Sequence, residues 1–228
     1  VGLKQPKSDI SLGTKELVTK SSKLKFPILL RPSYVLGGRM MEKMANLDDV
    51  QDYIDQNYWA LENNVILIDE FLQNAKEVDV DVLRDNQGNT MIAGIMEHIE
   101  EAGIHSGDSA CSIPPFSLND KIISDIKKFS ISLVNELKIL GLMNIQYAIK
   151  DDEIFILEAN PRASRTIPFL AKAIGIPFIK IAAELIVGKT LTEEYQNFDN
   201  NTLPYFAIKE AVCLLYTSDA ADELLWVC

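Results

Sequence analysis

The sequence predicts an α+β fold in which antiparallel strands and helices occupy separate stretches of the chain. Residues 76–83 (KEVDVDVL) alternate between valine and acidic residues, which is typical of a half-solvated antiparallel strand. The stretch 145–158 holds two runs rich in Ile, Tyr and Phe on either side of Asp151-Asp152, which is the signal of a β-hairpin. A long helix is predicted over 118–140, beginning at Asn119 or Asp120, because such residues cap helices. The length of 228 residues is enough for one large domain or two small ones.

The remaining elements follow from the same periodicities. We predict helices over 11–24, 47–60, 164–174 and 177–187, and strands over 26–30, 64–69 and 90–96. Residues 98–109 are polar and punctuated by glycine, so they form either a plain surface loop or a lid hinged at Gly103 and Gly107. On the strand 76–83, we expect the acidic face to be exposed to solvent. Glu77 is the exception, since a carboxylate at the start of a strand can bind ribose hydroxyls.

Composition, net charge and cysteine spacing indicate a soluble globular protein and argue against several classes of partner. The apolar content of 47% is ordinary for a soluble globular chain, and a net charge of −11 argues against nucleic-acid and anionic-membrane partners. No apolar run approaches the ~18–20 residues of a membrane span. The first ten residues lack the pattern of a signal peptide and lack an initiator Met, so we expect the chain to begin inside a longer reading frame. The three cysteines have neither disulfide nor zinc spacing, which makes the cytoplasm the expected location.

The polar residues at the end of the hairpin predict a metal site with an anion site beside it. Glu158 and Asn160 are two residues apart, so they project to one face of an extended strand, and Gln146 on the partner strand can join them. Carboxylate and amide oxygens suit Mg²⁺, which is usually held by one or two protein oxygens and by substrate phosphates. Arg162 and Arg165 follow, and guanidinium groups bind phosphate or carboxylate through paired hydrogen bonds.

The alternative is a hairpin whose end simply caps the sheet and starts a helix. The register of the hairpin separates the two interpretations. A regular two-residue turn at Asp151-Asp152 pairs Gln146 with Leu157 and places Glu158 on the opposite face, whereas a three-residue loop or a bulge pairs Gln146 with Glu158. The metal-site hypothesis therefore predicts the irregular register.

A second candidate anion site lies near the N-terminus. Gly37-Gly38 can bring backbone N–H groups close to a polyphosphate, and Arg31 and Arg39 bracket the loop with positive charge. An ordinary hairpin turn is the alternative. A zinc site at His98 and His105 is disfavoured, because the spacing is not that of a zinc motif and no third strong ligand is present.

Together, four segments resemble the ATP-grasp fold and, within it, the large chain of carbamoyl-phosphate synthase. They are RPSYVLGGRMM, DEFLQNAKEVDVDV, IMEHIEEAGIHSGDSACSIPP and GLMNIQYAIKDDEIFILEANPRASRTIPF, and they span roughly residues 27–191. The first and third segments are similar to the second, carbamate-phosphorylating half of that chain. The resemblance implies two α+β subdomains whose mostly antiparallel sheets clasp a nucleotide: residues 1–70 as the smaller, truncated at its N-terminus, and 71–198 as the larger, followed by a tail over 199–228.

The resemblance also implies a role for each matched residue. Arg31, Gly37 and Gly38 would lie near the nucleotide phosphates, Glu70 and Leu72 would line the adenine pocket, and Glu77 would bind the ribose. The remaining nucleotide-binding positions are Gly103, Ile104, His105, Ser106, Gln146 and Glu158. Gln146, Glu158 and Asn160 would hold Mg²⁺ or Mn²⁺, while Asn160, Arg162 and Arg165 would act at the site of phosphoryl transfer.

The implied activity is ATP-dependent phosphorylation of carbamate to carbamoyl phosphate, within a glutamine-dependent synthase that supplies arginine and pyrimidine biosynthesis. The implied partner is the glutamine-hydrolysing small chain. Two alternatives are open: a nucleotide-binding fragment that cannot turn over, and an ATP-grasp ligase with another acceptor such as bicarbonate. The resemblance stops near residue 212, and Cys213–Glu223 (CLLYTSDAADE) corresponds to a translated library-adapter sequence. We therefore expect 213–228 to be an artefact that packs poorly.

Overall fold

A computed structural model describes residues 2–33, 40–103, 109–198 and 203–210. It confirms the α+β class, and every β-ladder between its described strands is antiparallel. The described residues form two compact units, a small unit of residues 5–73 and a large unit of residues 2–4 and 74–210. The domain limits of 1–70 and 71–198 drawn from the resemblance stay predictions. None of the described helices is long and apolar enough to cross a membrane.

The small unit is a four-stranded sheet with two helices. Its strands stand in the order β1-β4-β2-β3. The elements are β1 (Ser8–Leu12), α1 (Leu17–Ser21), β2 (Ile28–Pro32), β3 (Glu42–Met44), α2 (Leu47–Leu61) and β4 (Val65–Glu70). Asn46 caps α2 by accepting from the backbone N–H groups of Asp48 and Asp49. The predicted helix over 11–24 is shorter than expected, because Ser11 and Leu12 pair with β4 instead.

The large unit is a six-stranded sheet in the order β10-β7-β6-β5-β8-β9, packed with four helices. The strands are β5 (Lys76–Arg84), β6 (Thr90–Glu101), β7 (Cys111–Ile113), β8 (Gly141–Lys150), β9 (Glu153–Asn160) and β10 (Ala207–Lys209). The helices are α3 (Asp120–Glu136), α4 (Ile167–Ile174), α5 (Phe178–Ile186) and α6 (Glu193–Gln196). Strand β6 runs to Glu101, so the predicted loop over 98–109 begins later than expected.

Each face of the large sheet has its own apolar core. The valines of β5 lie on one face with Tyr147 and with Ile122 and Ile126 of α3. On the other face, Leu83 and Leu142 pack against α4 and α5, whose Leu170 and Phe178 are fully buried. The alternation of β5 is thus confirmed, but the prediction that Asp79 and Asp81 are exposed to solvent is wrong. Glu77, Asp79 and Asp81 are 5%, 1% and 0% exposed, because helices and loops cover this face as well.

Candidate functional site

The end of the β8–β9 hairpin has the irregular register that the metal-site hypothesis predicts. Asp151 and Asp152 form a two-residue turn, both with positive φ, and the strands pair regularly from Lys150↔Glu153 to Tyr147↔Ile156. A bulge then leaves Leu157 without a partner, and Gln146 pairs with Glu158. Asn144 pairs in turn with Asn160. The bulge therefore turns Glu158 and Asn160 to the face that carries Gln146 and Asn144.

The same face continues across the neighbouring strands. Asp79 pairs with Gln146 and Asp81 with Asn144, and directly paired residues project to the same side of a sheet. On the far side of β5, Asp79 pairs with Met96, which places His98 on this face two residues further along β6. The result is a polar face, made up of Glu77, Asp79, Asp81, His98, Asn144, Gln146, Glu158 and Asn160.

The three predicted metal ligands lie at the accessible end of the polar face. Glu158 is exposed, and Gln146 and Asn160 are partly buried. Their side chains make no hydrogen bond with any other described residue. One carboxylate and two amides fit Mg²⁺, a hard cation that also takes phosphate oxygens and water. No group of three or more His, Cys, Asp or Glu side chains suited to a metal occurs in the described part of the chain.

The two predicted anion-binding arginines follow the metal ligands directly. Both Arg162 and Arg165 are exposed. The Arg162 backbone N–H donates to the Asn160 carbonyl at 2.8 Å, which turns the chain sharply after Pro161. Their guanidinium groups make no ion pair with a described residue. Arg162 Nη1 donates to the Ala163 carbonyl at 3.2 Å. Guanidinium groups without a carboxylate partner, beside an oxygen-rich cation site, are suited to an anionic substrate.

Glu77, the predicted ribose-binding residue, is hydrogen-bonded to Gly103, which is also predicted to lie along the nucleotide. The Gly103 backbone N–H donates to Glu77 Oε2 at 3.0 Å. Burial raises the pKa of the Glu77 carboxyl, and the charges of Asp79 and Glu158 add to this, while His98 and the Gly103 hydrogen bond oppose it. The charge of Glu158 therefore acts on Glu77, and these two predicted site residues share one electrostatic environment.

His98 is part of a buried hydrogen-bonded relay. Its Nε2 lies 2.9 Å from Asp79 Oδ2, and its Nδ1 lies 2.8 Å from the Ser109 hydroxyl. All three residues are at most 4% exposed. Burial by itself lowers the pKa of His98, but the hydrogen bond and the charge of Asp79 outweigh burial, with help from Glu77, and the pKa is raised. The relay ties the end of β6 to the residue that follows the segment 104–108.

Sequence reasoning missed a second buried cluster, around Asp81. Its Oδ1 accepts from Asn144 Nδ2 at 3.2 Å, and its Oδ2 accepts from Ser164 Oγ at 2.9 Å and Thr166 Oγ1 at 3.0 Å. Burial raises the pKa of Asp81 to about 7, and Asp79 adds to the rise, although the three hydrogen bonds oppose it. The signal was present in the sequence, since Asp81 continues the acidic face that contains Glu77.

In the small unit, two predicted nucleotide-binding side chains have partners of their own. Arg31 donates from Nε to Asp69 Oδ2 at 2.7 Å, and its Nη2 lies 2.7 Å from the same oxygen. Glu70 accepts from the Lys25 backbone N–H at 2.8 Å. Leu72 is partly buried just after β4. Arg31 and Glu70 are thereby held in defined orientations within this unit.

Several predicted positions lie outside the described residues. They are Gly37, Gly38, Arg39, Ile104, His105, Ser106 and Gly107, together with the segment 213–228 that we expect to be an artefact. Their predicted roles stay predictions.

Comparison with known proteins identifies relatives that match the part of the chain containing the polar face and the two arginines. Residues 3–194 match the family model described as carbamoyl-phosphate synthase L chain, ATP binding domain. The chain is 43% identical to the carbamoyl phosphate synthase large chain of Xanthomonas axonopodis pv. citri (strain 306), over 99% of this chain and 21% of that protein. The corresponding protein of Synechocystis sp. (strain PCC 6803) is 46% identical, over 98% of this chain and 20% of its own length. The chain thus spans about a fifth of these relatives.

Solved structures share the fold at low sequence identity. Biotin carboxylase from Campylobacter jejuni, in complex with β,γ-ATP, superposes with a TM-score of 0.73 at 16% identity, over 86% of this chain and 45% of that one. N5-carboxyaminoimidazole ribonucleotide synthetase from Thermus thermophilus gives a TM-score of 0.61 at 15% identity, over 74% of this chain and 43% of that one. These likenesses confirm the predicted ATP-grasp fold.

Proposed function

The chain belongs to the family of the carbamoyl-phosphate synthase L chain, ATP binding domain, and from this we propose that it binds ATP with a divalent cation and phosphorylates carbamate to carbamoyl phosphate. The observation that carries the proposal is the bulge at Leu157. It sets Glu158 and Asn160 beside Gln146 on one face of the sheet, directly before the exposed Arg162 and Arg165.

In the proposed reaction, a carbamate oxygen attacks the γ-phosphorus of ATP, and the bond between that phosphorus and the oxygen of the ADP leaving group breaks. Such a transfer needs the two anions held in line and their charge neutralised, with little covalent help from the protein. Gln146, Glu158 and Asn160 would hold Mg²⁺ or Mn²⁺, which when bound neutralises phosphate charge. Arg165, with Arg162, would hold the acceptor and the transferred phosphoryl group.

The nucleotide would be held by the remaining predicted residues. Glu77 would accept hydrogen bonds from the ribose hydroxyls, and its bond from Gly103 keeps the carboxylate in one orientation. Arg31 and Gly37-Gly38 would lie along the phosphates, Glu70 and Leu72 at the adenine, and Gly103, Ile104, His105 and Ser106 along the nucleotide. At the phosphates, the backbone N–H groups and the arginine would neutralise the negative charge of the phosphate oxygens.

The wider assignment also belongs to the proposal. We infer that the chain represents the second, carbamate-phosphorylating half of the large chain, because its segments RPSYVLGGRMM and EHIEEAGIHSGDSACS resemble that half. The parent enzyme would take ammonia from a glutamine-hydrolysing small chain in the cytoplasm and supply arginine and pyrimidine synthesis. Bicarbonate is the alternative acceptor.

The first test is thermal unfolding of the purified chain with and without Mg²⁺-ADP. A ligand that binds only the folded state, at 100 times its dissociation constant, adds about 2.7 kcal/mol to the free energy of unfolding. We expect a clear upward shift for the wild type and the loss of its Mg²⁺-dependent part in Glu158→Gln. Glu136→Gln neutralises another exposed carboxylate of the large unit, at the end of α3, and should leave the shift unchanged.

The second test is formation of ATP from carbamoyl phosphate and Mg²⁺-ADP, the reverse of the proposed reaction. Synthesis that Arg165→Ala abolishes supports the proposal. A Mg²⁺-ADP shift without any ATP synthesis identifies a nucleotide-binding segment that is catalytically incomplete. The absence of a shift in a folded protein would overturn nucleotide binding by this chain.

A further inference from the structure

We propose that Asp81 is a positioning residue whose buried carboxylate fixes the arginine loop, defined as residues 161–166, so that Arg165 is presented to the anionic acceptor. The identity of that acceptor rests on the proposed function. The attachment of the loop to Asp81 rests on the structure alone.

The first observation is how the loop is attached. Ser164 and Thr166 flank Arg165, and both hydroxyls donate to the same oxygen of Asp81, at 2.9 and 3.0 Å. The two hydroxyl oxygens also lie 2.7 Å apart, and the Ile167 backbone N–H donates to Ser164 Oγ at 3.2 Å. The loop is therefore fixed on both sides of Arg165 and at the first residue of α4.

The second observation is that Asp81 itself is rigidly held. It lies in the middle of β5, paired on one side with Gly94 and on the other with Asn144. Asn144 Nδ2 donates to Asp81 Oδ1 at 3.2 Å and lies 3.4 Å from Asp79 Oδ1. A central strand is a rigid support, so a loop bound to it takes its position from the sheet.

The third observation is an apolar anchor next to the polar one. A Cβ built on Gly94 would lie 2.5 Å from Leu170 Cδ2, so the absence of a side chain at Gly94 lets α4 approach the sheet. Leu170 is fully buried. The segment from Ser164 to Leu170 is thus attached to neighbouring strands at two points, and Arg165 projects from the anchored part.

Burying a carboxylate at this position costs free energy that an apolar side chain of the same size would not cost. Asp81 is fully buried, and burial raises its pKa because the charged form loses hydration. An apolar side chain of similar size would avoid this cost but would leave the Ser164 and Thr166 hydroxyls without their acceptor. We infer that the carboxylate at this position serves to orient the arginine loop.

The test compares three variants in this chain. Asp81→Ala and the double variant Ser164→Ala/Thr166→Val remove the attachment from its two ends, and the double variant covers the case in which Asp81→Ala fails to fold. Asp81→Asn is the conservative variant, because its amide can still bond to hydroxyls that both donate and accept. Limited trypsin digestion measures cleavage after Arg162 and Arg165, with cleavage after the exposed Lys138 as the reference.

We expect cleavage after Arg162 and Arg165 to rise at least about tenfold in the first two variants, with cleavage after Lys138 unchanged, since the attachment acts locally. In the ATP-forming assay, KM for carbamoyl phosphate should rise at least about tenfold while KM for Mg²⁺-ADP changes less than about twofold, because misplacing one binding group weakens only its own ligand. Asp81→Asn should restore both values towards wild type.

Each other result is decisive. Unchanged cleavage and unchanged KM in the first two variants would overturn the proposal. Equal acceleration of cleavage at Lys138 would show general destabilisation and would overturn it as well. If the wild-type chain forms no ATP, the proposed function fails for this chain, and the digestion alone still decides whether Asp81 holds the loop.

Discussion

The buried carboxylate of Asp81 makes a specific prediction about stability and pH. Burial raises its folded-state pKa to about 7, against 3.8 for an unperturbed Asp. Because the folded value is the higher one, the unfolded chain loses its proton first as pH rises. The stabilising effect of this proton is complete below about pH 4, declines as pH rises, and is gone above the folded pKa. The Asp81→Asn variant lacks this titration altogether.

The size of the effect follows from the same two pKa values. Each pH unit between them changes the free energy of unfolding by up to about 1.4 kcal/mol. Between pH 5 and pH 8, the stability of wild type relative to Asp81→Asn should therefore fall by at most about 3 kcal/mol. Most of that fall should occur below pH 7.

Urea denaturation of both proteins at pH 5, 6, 7 and 8 measures this difference, provided that the denaturant slopes agree. Asp151→Asn serves as the control, since it neutralises an exposed carboxylate in a turn whose positive φ Asn also tolerates. This variant keeps Asp81, so its stability should still decline between pH 5 and pH 7. A constant difference between wild type and Asp81→Asn over this range would refute the reasoning, because it would mean that Asp81 ionises in the folded state as it does in the unfolded chain.

Three further predictions concern other buried features. Tyr147→Phe should cost about 1–3 kcal/mol, because it leaves the buried Ser130 hydroxyl without its 2.9 Å partner; adding Ser130→Ala should recover part of this loss in a double-mutant cycle, and simple additivity would contradict the pairing. Gly13→Ala should cost more than about 2 kcal/mol by denaturation, since φ is 69° and the new Cβ would lie 2.1 Å from the Glu62 carbonyl oxygen. Burial alone would raise the pKa of Asp85, but hydrogen bonds from side-chain and backbone amides outweigh burial and lower it. Asp85→Ala should therefore cost about 2–4 kcal/mol near neutral pH, and this cost should shrink as pH falls below about 4; a cost independent of pH would argue against an ionised Asp85.

Local pattern was sufficient for the parts of the site that lie close together in sequence. The hairpin and its turn at Asp151-Asp152 followed from the residue pattern, and the shared face of Glu158 and Asn160 followed from period-two alternation. That Gln146 shares this face was predicted only by the metal-site hypothesis. The bulge leaves Leu157 without a partner in the ladder. Local pattern does not predict it, and it was expected only because the metal-site hypothesis requires Gln146 to pair with Glu158.

Local pattern failed where burial decides the outcome. Alternation in residues 76–83 groups Glu77, Asp79 and Asp81 on one face, but it carries no information about what covers that face. The structure buries all three, and it places His98 in a strand where the polar sequence had predicted a loop. An acidic face that carries its own hydrogen-bond partners cannot be distinguished by period from one that is hydrated.

The sequence by itself determined which residues share a face within each strand, where the chain turns, and which side chains have the chemistry to bind a metal–nucleotide pair. Those properties depend on neighbours within a few positions. Only the tertiary structure brought Asp81 to Ser164 and Thr166, which are 83 and 85 positions away in the chain. Such contacts depend on strand order and on the packing of α4 against the sheet, and the free energy that selects them comes from burial of the whole core rather than from any local pattern.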